Sequence, residues 1–139
     1  LIILDTSVVS ELMKPLPEPT VAAWVARQAP ATLYTTSITE AEILHGVALL
    51  PAGRRRTRLQ AAAEAMFAED FRGRVLPFAS AAAPAYALIA AERRRAGRPI
   101  SHFDAQIAAI GRSTGAAVAT RNTPDFEVCG IDLVDPWRR

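Results

Sequence analysis

Three carboxylates in this 139-residue chain stand where a protein most easily does chemistry: Asp5, Glu42 and Asp104. Asp5 closes the apolar run Leu1–Leu4, Glu42 is read in the first helical turn after Leu33–Ser37, and Asp104 sits near the start of a late helix. Singly, each has a plain structural role. Asp5 can cap a helix beginning at Ser7, and Thr39-x-x-Glu42 and Ser101-x-x-Asp104 match the capping-box pattern. Acidic residues in a first turn also suit the positive end of the helix dipole. Together they ask for more, because three helix starts on one sheet edge bring three carboxylates into one cleft. Like charges held that close repel and raise one another's pKa unless a cation sits among them. Oxygen donors without a His or Cys pattern suit Mg²⁺ or Mn²⁺ rather than zinc. A magnesium held by carboxylates serves phosphodiester chemistry, by activating water and neutralising charge on the phosphate.

The elements that must position them alternate along the chain. Strands are predicted at Leu1–Leu4, Leu33–Ser37, Arg74–Phe78 and Ala116–Thr120, with a short edge strand at Ile131–Val134. Helices are predicted at Ser7–Met13, from a Thr20 cap to Pro30, and over Thr39–Leu50, Arg54–Asp70, Ala81–Ala96 and His102–Arg112. Strand–helix alternation implies βαβ crossovers and a mostly parallel sheet with helices on both faces. No repeat or long linker divides the chain, so one domain is expected. In an open parallel sheet, ligands bind beyond the carboxyl ends of the strands. Here that means just after Leu4, Ser37 and Thr120.

Four motifs sharpen the reading: Leu-Asp-Thr-Ser at 4–7, Thr-Ser-Ile-Thr-Glu-Ala-Glu at 36–42, Phe-Asp-Ala-Gln-Ile-Ala-Ala at 103–109, and Ala-Thr-Arg-Asn-Thr-Pro-Asp-Phe at 119–126. In this order, and with Val-Asp-Pro-Trp at 134–137, they resemble PIN-domain ribonuclease toxins of the VapC/FitB type over residues 1–137. The resemblance implies a single PIN-like α/β domain, an α/β/α sandwich around a mostly parallel sheet of four to five strands. It implies a toxin of a type II toxin–antitoxin system, an Mg²⁺-dependent endoribonuclease (Mn²⁺ serving as well) that leaves 5′-phosphate and 3′-hydroxyl ends. The implied partners are a VapB-like antitoxin, an RNA substrate and a second copy of the chain, with DNA met only through the antitoxin. Asp5, Glu42 and Asp104 match the family's metal-binding acidic positions. At the fourth, where many PIN domains carry aspartate, this chain has Asn122, read as an outer-shell or positioning group. Asp125, three residues on, is the other candidate. The missing fourth carboxylate also leaves room for an alternative, a catalytically weak RNA- or antitoxin-binding module.

Composition excludes several other classes. Half the residues are hydrophobic and 22% are charged, which supports a buried core rather than global disorder. A single cysteine, Cys129, rules out an internal disulfide framework and Cys-rich zinc sites. Apolar stretches fall short of the roughly 20 residues a bilayer span needs, so no membrane association is expected. Nothing at the start resembles a signal peptide, and a reducing cytoplasm is the expected setting. A receiver-type switch would want a lysine late in the chain, and the only lysine is Lys14; a haloacid-type phosphatase would want Asp-x-Asp where this chain has Asp5-Thr6-Ser7.

All but one of the 16 basic residues are arginine, bunched at Arg54–Arg58 and at Arg93–Arg95 with Arg98. Such forks match phosphate oxygens, although solvated helix faces account for each cluster equally simply. Thr6 and Thr120 are candidates to orient a carboxylate or water, or else turn residues bonding the backbone. His45, His102, Cys129, Trp24 and Trp137 read as packing or surface residues. The alanine-rich helices Arg54–Asp70 and Ala81–Ala96 carry more small apolar residues than one sheet face needs, which points to a homodimer.

Overall fold

The apolar run at the start of the chain becomes the central strand. In the computed structural model, which describes residues 1–138, β1 (Ile2–Leu4) pairs with β2 (Leu33–Thr36) on one side and β4 (Ala117–Ala119) on the other. β3 (Val75–Leu76) pairs with β2 and β5 (Leu133–Val134) pairs with β4, every pairing being parallel. The resulting order is β3-β2-β1-β4-β5. Parallel neighbours cannot be joined by tight turns, so helices carry the chain back. They are α1 (Thr6–Leu12), α2 (Pro19–Arg27), α3 (Ser37–Ala48), α4 (Arg54–Ala65), α5 (Ala83–Arg95) and α6 (His102–Thr114).

The helices bury both faces of the sheet, and successive residues of β1 serve opposite sides. Ile3 is fully buried with Ile107, Ile110 and Val118, together with Ile89 of α5. Leu4 packs on the other face with Val8, Val9, Val21 and Ile43. Burying each such side chain contributes roughly 2 kcal/mol. α6 approaches β4 so closely that a Cβ at Gly111 would stand 3.1 Å from Val118 Cγ2. It ends at Gly115, whose φ of 73° is the left-handed cap that glycine adopts freely.

Strand order reverses at β1, since β2 and β3 extend one way and β4 and β5 the other. A reversal sends the flanking connections to opposite sides and leaves a crevice between the carboxyl ends of the two strands. Asp5 and Thr120 are the first residues beyond β1 and β4, at its lip.

Several boundaries differ from those predicted. The sheet has the expected parallel order, with all pairings parallel among the described residues, while the third strand shrinks to Val75–Leu76. α2 starts at Pro19, favoured there by its fixed φ, with no side-chain cap, so Thr20 lies inside the helix and caps nothing. It ends at Arg27, short of Pro30. The helix predicted over Arg54–Asp70 is α-helical only to Ala65 and then widens into a π turn, Met66–Asp70. Phe67, within that turn, and Phe71, just after it, are both buried. α3 begins two residues before Thr39, because Thr36 Oγ1 accepts the Thr39 N–H (3.1 Å) and is the true cap. Thr39-x-x-Glu42 is therefore not a capping box, and Glu42 sits in the second turn.

Candidate active site

Asp5 leaves the sheet by donating its backbone N–H to the Ala119 carbonyl (3.1 Å), which ties the ends of β1 and β4 together. Its carboxylate then caps α1, with Oδ1 accepting the Val8 N–H (3.2 Å) and the Ser7 hydroxyl (2.5 Å). Ser7 Oγ accepts the Arg121 N–H (3.1 Å) in turn, so one hydroxyl links the carboxylate to the chain beyond β4. Asp5 is only 4% exposed. Burial raises its pKa from 3.8, against the opposing pull of hydrogen bonds from Ser7, Thr120 and Val8. Capping and a place at the crevice coincide in the same side chain.

Glu42 reaches the crevice from α3. Its Oε1 accepts the Thr6 hydroxyl (2.8 Å), and Thr6 Oγ1 lies 3.1 Å from Thr39 Oγ1. Thr6 has one hydroxyl proton and spends it on Glu42, so Thr39 is the donor to Thr6. A buried threonine thus anchors the contact between α1 and α3 that aims the carboxylate.

Asp104 arrives from the first turn of α6, where Ser101 Oγ accepts its backbone N–H (3.2 Å), as the capping pattern predicts. Its pKa is raised first by burial and then by the charges of Asp125, Asp5 and Glu42, with the Ser101 hydrogen bond opposing. A half-buried carboxylate that feels three others marks one shared cleft.

The turn after β4 separates the two candidates for the fourth position. Asn122 is exposed; its backbone N–H goes to Thr120 Oγ1 (3.0 Å) and its carbonyl accepts the Asp125 N–H (2.9 Å). The Asn122 side chain caps nothing. Among the charges acting on Asp104, that of Asp125 comes first.

A parallel sheet with its reversal at β1 has counterparts among known proteins. The PIN domain family description matches residues 2–128. The chain belongs to the PIN-domain family. It is 43% identical over 137 residues to the VapC ribonuclease Y4jK of Sinorhizobium fredii, covering 99% of this chain and 98% of that one. It is 36% identical over 137 residues to Toxin FitB of Neisseria gonorrhoeae, covering 99% of each. Among solved structures, FitAcB from Neisseria gonorrhoeae superposes with a TM-score of 0.93 at 35% identity, covering all of both chains. DNA-bound VapBC from Salmonella typhimurium gives a TM-score of 0.82 at 28% identity, over 97% of each chain. The chain is a homologue of the VapC/FitB toxins.

The donor set of this PIN domain fits a hard divalent cation. Every candidate ligand is a carboxylate oxygen, and the mutual repulsion felt at Asp104 is what a cation would relieve. Among the described residues, no three His, Cys, Asp or Glu side chains close into a ready-made cage. Beside Glu42 and Thr6 opens a groove of about 410 Å³ between α1, α3 and α4, lined chiefly by apolar side chains such as Met13, Val47, Leu50 and Leu59.

The remaining candidates fall outside the cleft. His102 Nδ1 is bonded to the Tyr86 hydroxyl (2.7 Å), and His45 is exposed near the end of α3. Cys129 is buried and its thiol pKa is raised by that burial, which leaves it an inert packing residue. Trp24 and Trp137 pack against one apolar cluster, and Trp137 carries the Arg121 guanidinium 5.3 Å from its ring centre. Arg54, Arg55 and Arg58 are exposed, whereas Arg93 is 4% exposed and belongs neither to a phosphate-binding surface nor to a solvated face. Sequence reasoning gave no role to Ser7 or Thr36 and took Thr39 for the cap of α3. Their signal was a hydroxyl within three residues of a strand end.

Proposed function

We propose that this PIN domain is the toxin of a toxin–antitoxin pair and acts as an Mg²⁺-dependent endoribonuclease, with Asp5, Glu42 and Asp104 as its metal-binding carboxylates. The observation that carries the reading is the convergence of these side chains at the reversal of the sheet, where Asp104 feels the charges of Asp5, Glu42 and Asp125. Bound there, a divalent cation supplies Lewis acidity for in-line attack of water on phosphorus and offsets charge on the phosphate. The chain's own residues prepare the place. Ser7 and the Val8 N–H fix Asp5, Thr6 fixes Glu42, and Ser101 fixes the start of α6 beneath Asp104. Asn122 stands at the mouth as a polar positioning group, beside the Asp125 carboxylate. Exposed arginines such as Arg55 hold the RNA backbone through its phosphates, which positions the strand without reading its sequence.

The partner is a VapB-like antitoxin that reaches DNA on the toxin's behalf, and the toxin pairs with a second copy of itself. Two features support the antitoxin contact. A cleft of carboxylates attracts an arginine or lysine, and the adjoining apolar groove supplies affinity that a partly exposed ion pair lacks. Exposed Leu88 and Phe103 on α5 and α6 are apolar surface available for self-pairing. No described helix is long and apolar enough to cross a membrane; the cytoplasm is the proposed setting.

The deciding experiment uses purified toxin freed of antitoxin. It should cut RNA with Mg²⁺ or Mn²⁺, stop with EDTA, and lose about 100-fold or more with Asp5→Asn or Asp104→Asn, beyond the cost of an outer-shell change. Full cleavage in EDTA refutes metal dependence, and RNA binding without cleavage favours the binding-module alternative. Replacing the basic residues of the antitoxin tail with alanine should restore cleavage by the complex while binding is largely kept. Cleavage that stays blocked places inhibition elsewhere.

A further inference from the structure

The guanidinium of Arg93 is the buried charge that the cleft leaves unexplained. It lies in the last turn of α5, is 4% exposed, and has no carboxylate partner among the described residues. Burying a cation without a counter-ion is costly, so its hydrogen bonds must be informative. Arg93 Nη1 donates to the carbonyls of Pro124 (3.2 Å) and Glu127 (2.9 Å), and Nε has no partner. Arg98 approaches the same segment from outside, with Nη2 donating to the Pro124 carbonyl (3.2 Å) and to Glu127 Oε2 (3.0 Å). Between those two carbonyls lies Asp125, inside the 3₁₀ turn Thr123–Phe126. Next to Glu127, Val128 has a φ of 60°, a conformation that a β-branched residue keeps only when its surroundings impose it.

We propose that Arg93 is a positioning residue of the carboxylate site: with Arg98 it clamps the turn after β4 by its main-chain carbonyls and so presents Asp125 to the cation. The proposal rests on the metal-dependent reading above and deepens it by naming what holds the fourth carboxylate in place. One nitrogen of the buried guanidinium, Arg93 Nη1, bridges two carbonyls of one turn, and a lysine in its place ends one bond short of that atom. Asn122 stands outside this span, so the clamp serves Asp125.

The test compares Arg98→Ala, Arg93→Lys and Asp125→Asn, singly and combined, in the full-length toxin. Three quantities are read: amide hydrogen exchange over residues 122–127 without metal, Mn²⁺ binding by calorimetry, and RNA cleavage against Mg²⁺ concentration. Arg98→Ala and Arg93→Lys should speed exchange at the Asp125 amide while α6 amides stay protected. Each should weaken Mn²⁺ binding about tenfold, the scale for losing an outer-shell partner. Cleavage should recover toward the parent kcat at saturating Mg²⁺, a split that general unfolding would not give. With Asp125→Asn already present, neither arginine change should weaken Mn²⁺ binding further. Unchanged exchange and affinity, or losses that multiply with Asp125→Asn, overturn the proposal. Arg98 is exposed, so its variant carries the test even where Arg93→Lys fails to fold. Wild-type toxin that binds Mn²⁺ but cuts no RNA defeats the ribonuclease reading alone, because exchange and Mn²⁺ coupling report on the clamp separately.

Discussion

Replacing Ser7 with alanine removes the hydroxyl that joins Asp5 to Arg121, and both lost bonds can be weighed. The bond to Asp5 Oδ1 is charge-assisted and buried, worth about 1.5–3 kcal/mol. The bond from the Arg121 N–H ends at an exposed residue that water can serve, so its loss costs only about 0.5 kcal/mol. At neutral pH, Ser7→Ala should therefore cost about 2.5 kcal/mol, or roughly 8 °C in Tm for a chain of 139 residues. The pH dependence has a definite sign. Asp5 has a folded pKa above its unfolded 3.8, so its ionised form is penalised by folding, and the Ser7 bond reduces that penalty. The cost of the substitution is full while Asp5 is ionised, above its folded pKa. As pH falls through that value toward 3.8, the charge assistance disappears and the cost shrinks to that of neutral hydrogen bonds, about 1–1.5 kcal/mol. Urea unfolding at neutral pH and at a pH below 3.8 reads both limits. The acid limb of RNA cleavage should also move to higher pH, because Asp5 without Ser7 holds its proton more tightly. An equal loss at both pH values with an unmoved acid limb would refute the account of how Asp5 is held.

Asp104→Asn should make the metal-free toxin more stable at neutral pH while abolishing cleavage. Its carboxyl has a folded pKa raised by burial and then by its acidic neighbours, so the penalty on its ionised form is present above that pKa and gone below 3.8; urea midpoints of parent and variant should converge on acidification. Thr36→Ala should cost about 1 kcal/mol by removing the cap of α3, and raise the Mg²⁺ needed for cleavage as the turn beneath Glu42 loosens. Gly111→Ala should cost about 1–3 kcal/mol in thermal or urea unfolding, since the new methyl would stand 3.1 Å from Val118 Cγ2 in a filled core.

Local pattern carried much of this protein. Leu1–Leu4 reads as a buried strand and ends at Asp5, and the Ser101 cap fixes the start of α6, because strand burial and N-capping depend on residues a few positions apart. Strand–helix alternation sufficed for a parallel sheet, and the rule that ligands lie beyond strand ends then directed attention to Asp5, Glu42 and Asp104. Where two local patterns competed, spacing could not choose between them. Thr36 and Thr39 are both suitable caps, and only the path of the chain out of β2 turns the Thr36 hydroxyl toward the helix. The run of arginines at 93–95 looks uniform in the sequence; the angle at which α5 meets the turn after β4 buries Arg93 and leaves Arg94 and Arg95 in water. Asn122 and Asp125 likewise stand three residues apart, and it is the 3₁₀ turn, anchored by carbonyls to a helix some thirty positions earlier, that sets Asp125 within the field of Asp104. The sequence by itself determined which residues carry charge and which edge of the sheet they share, since those follow from residue type and periodicity. Only the tertiary structure decided which charges meet, because that depends on contacts between segments far apart in the chain.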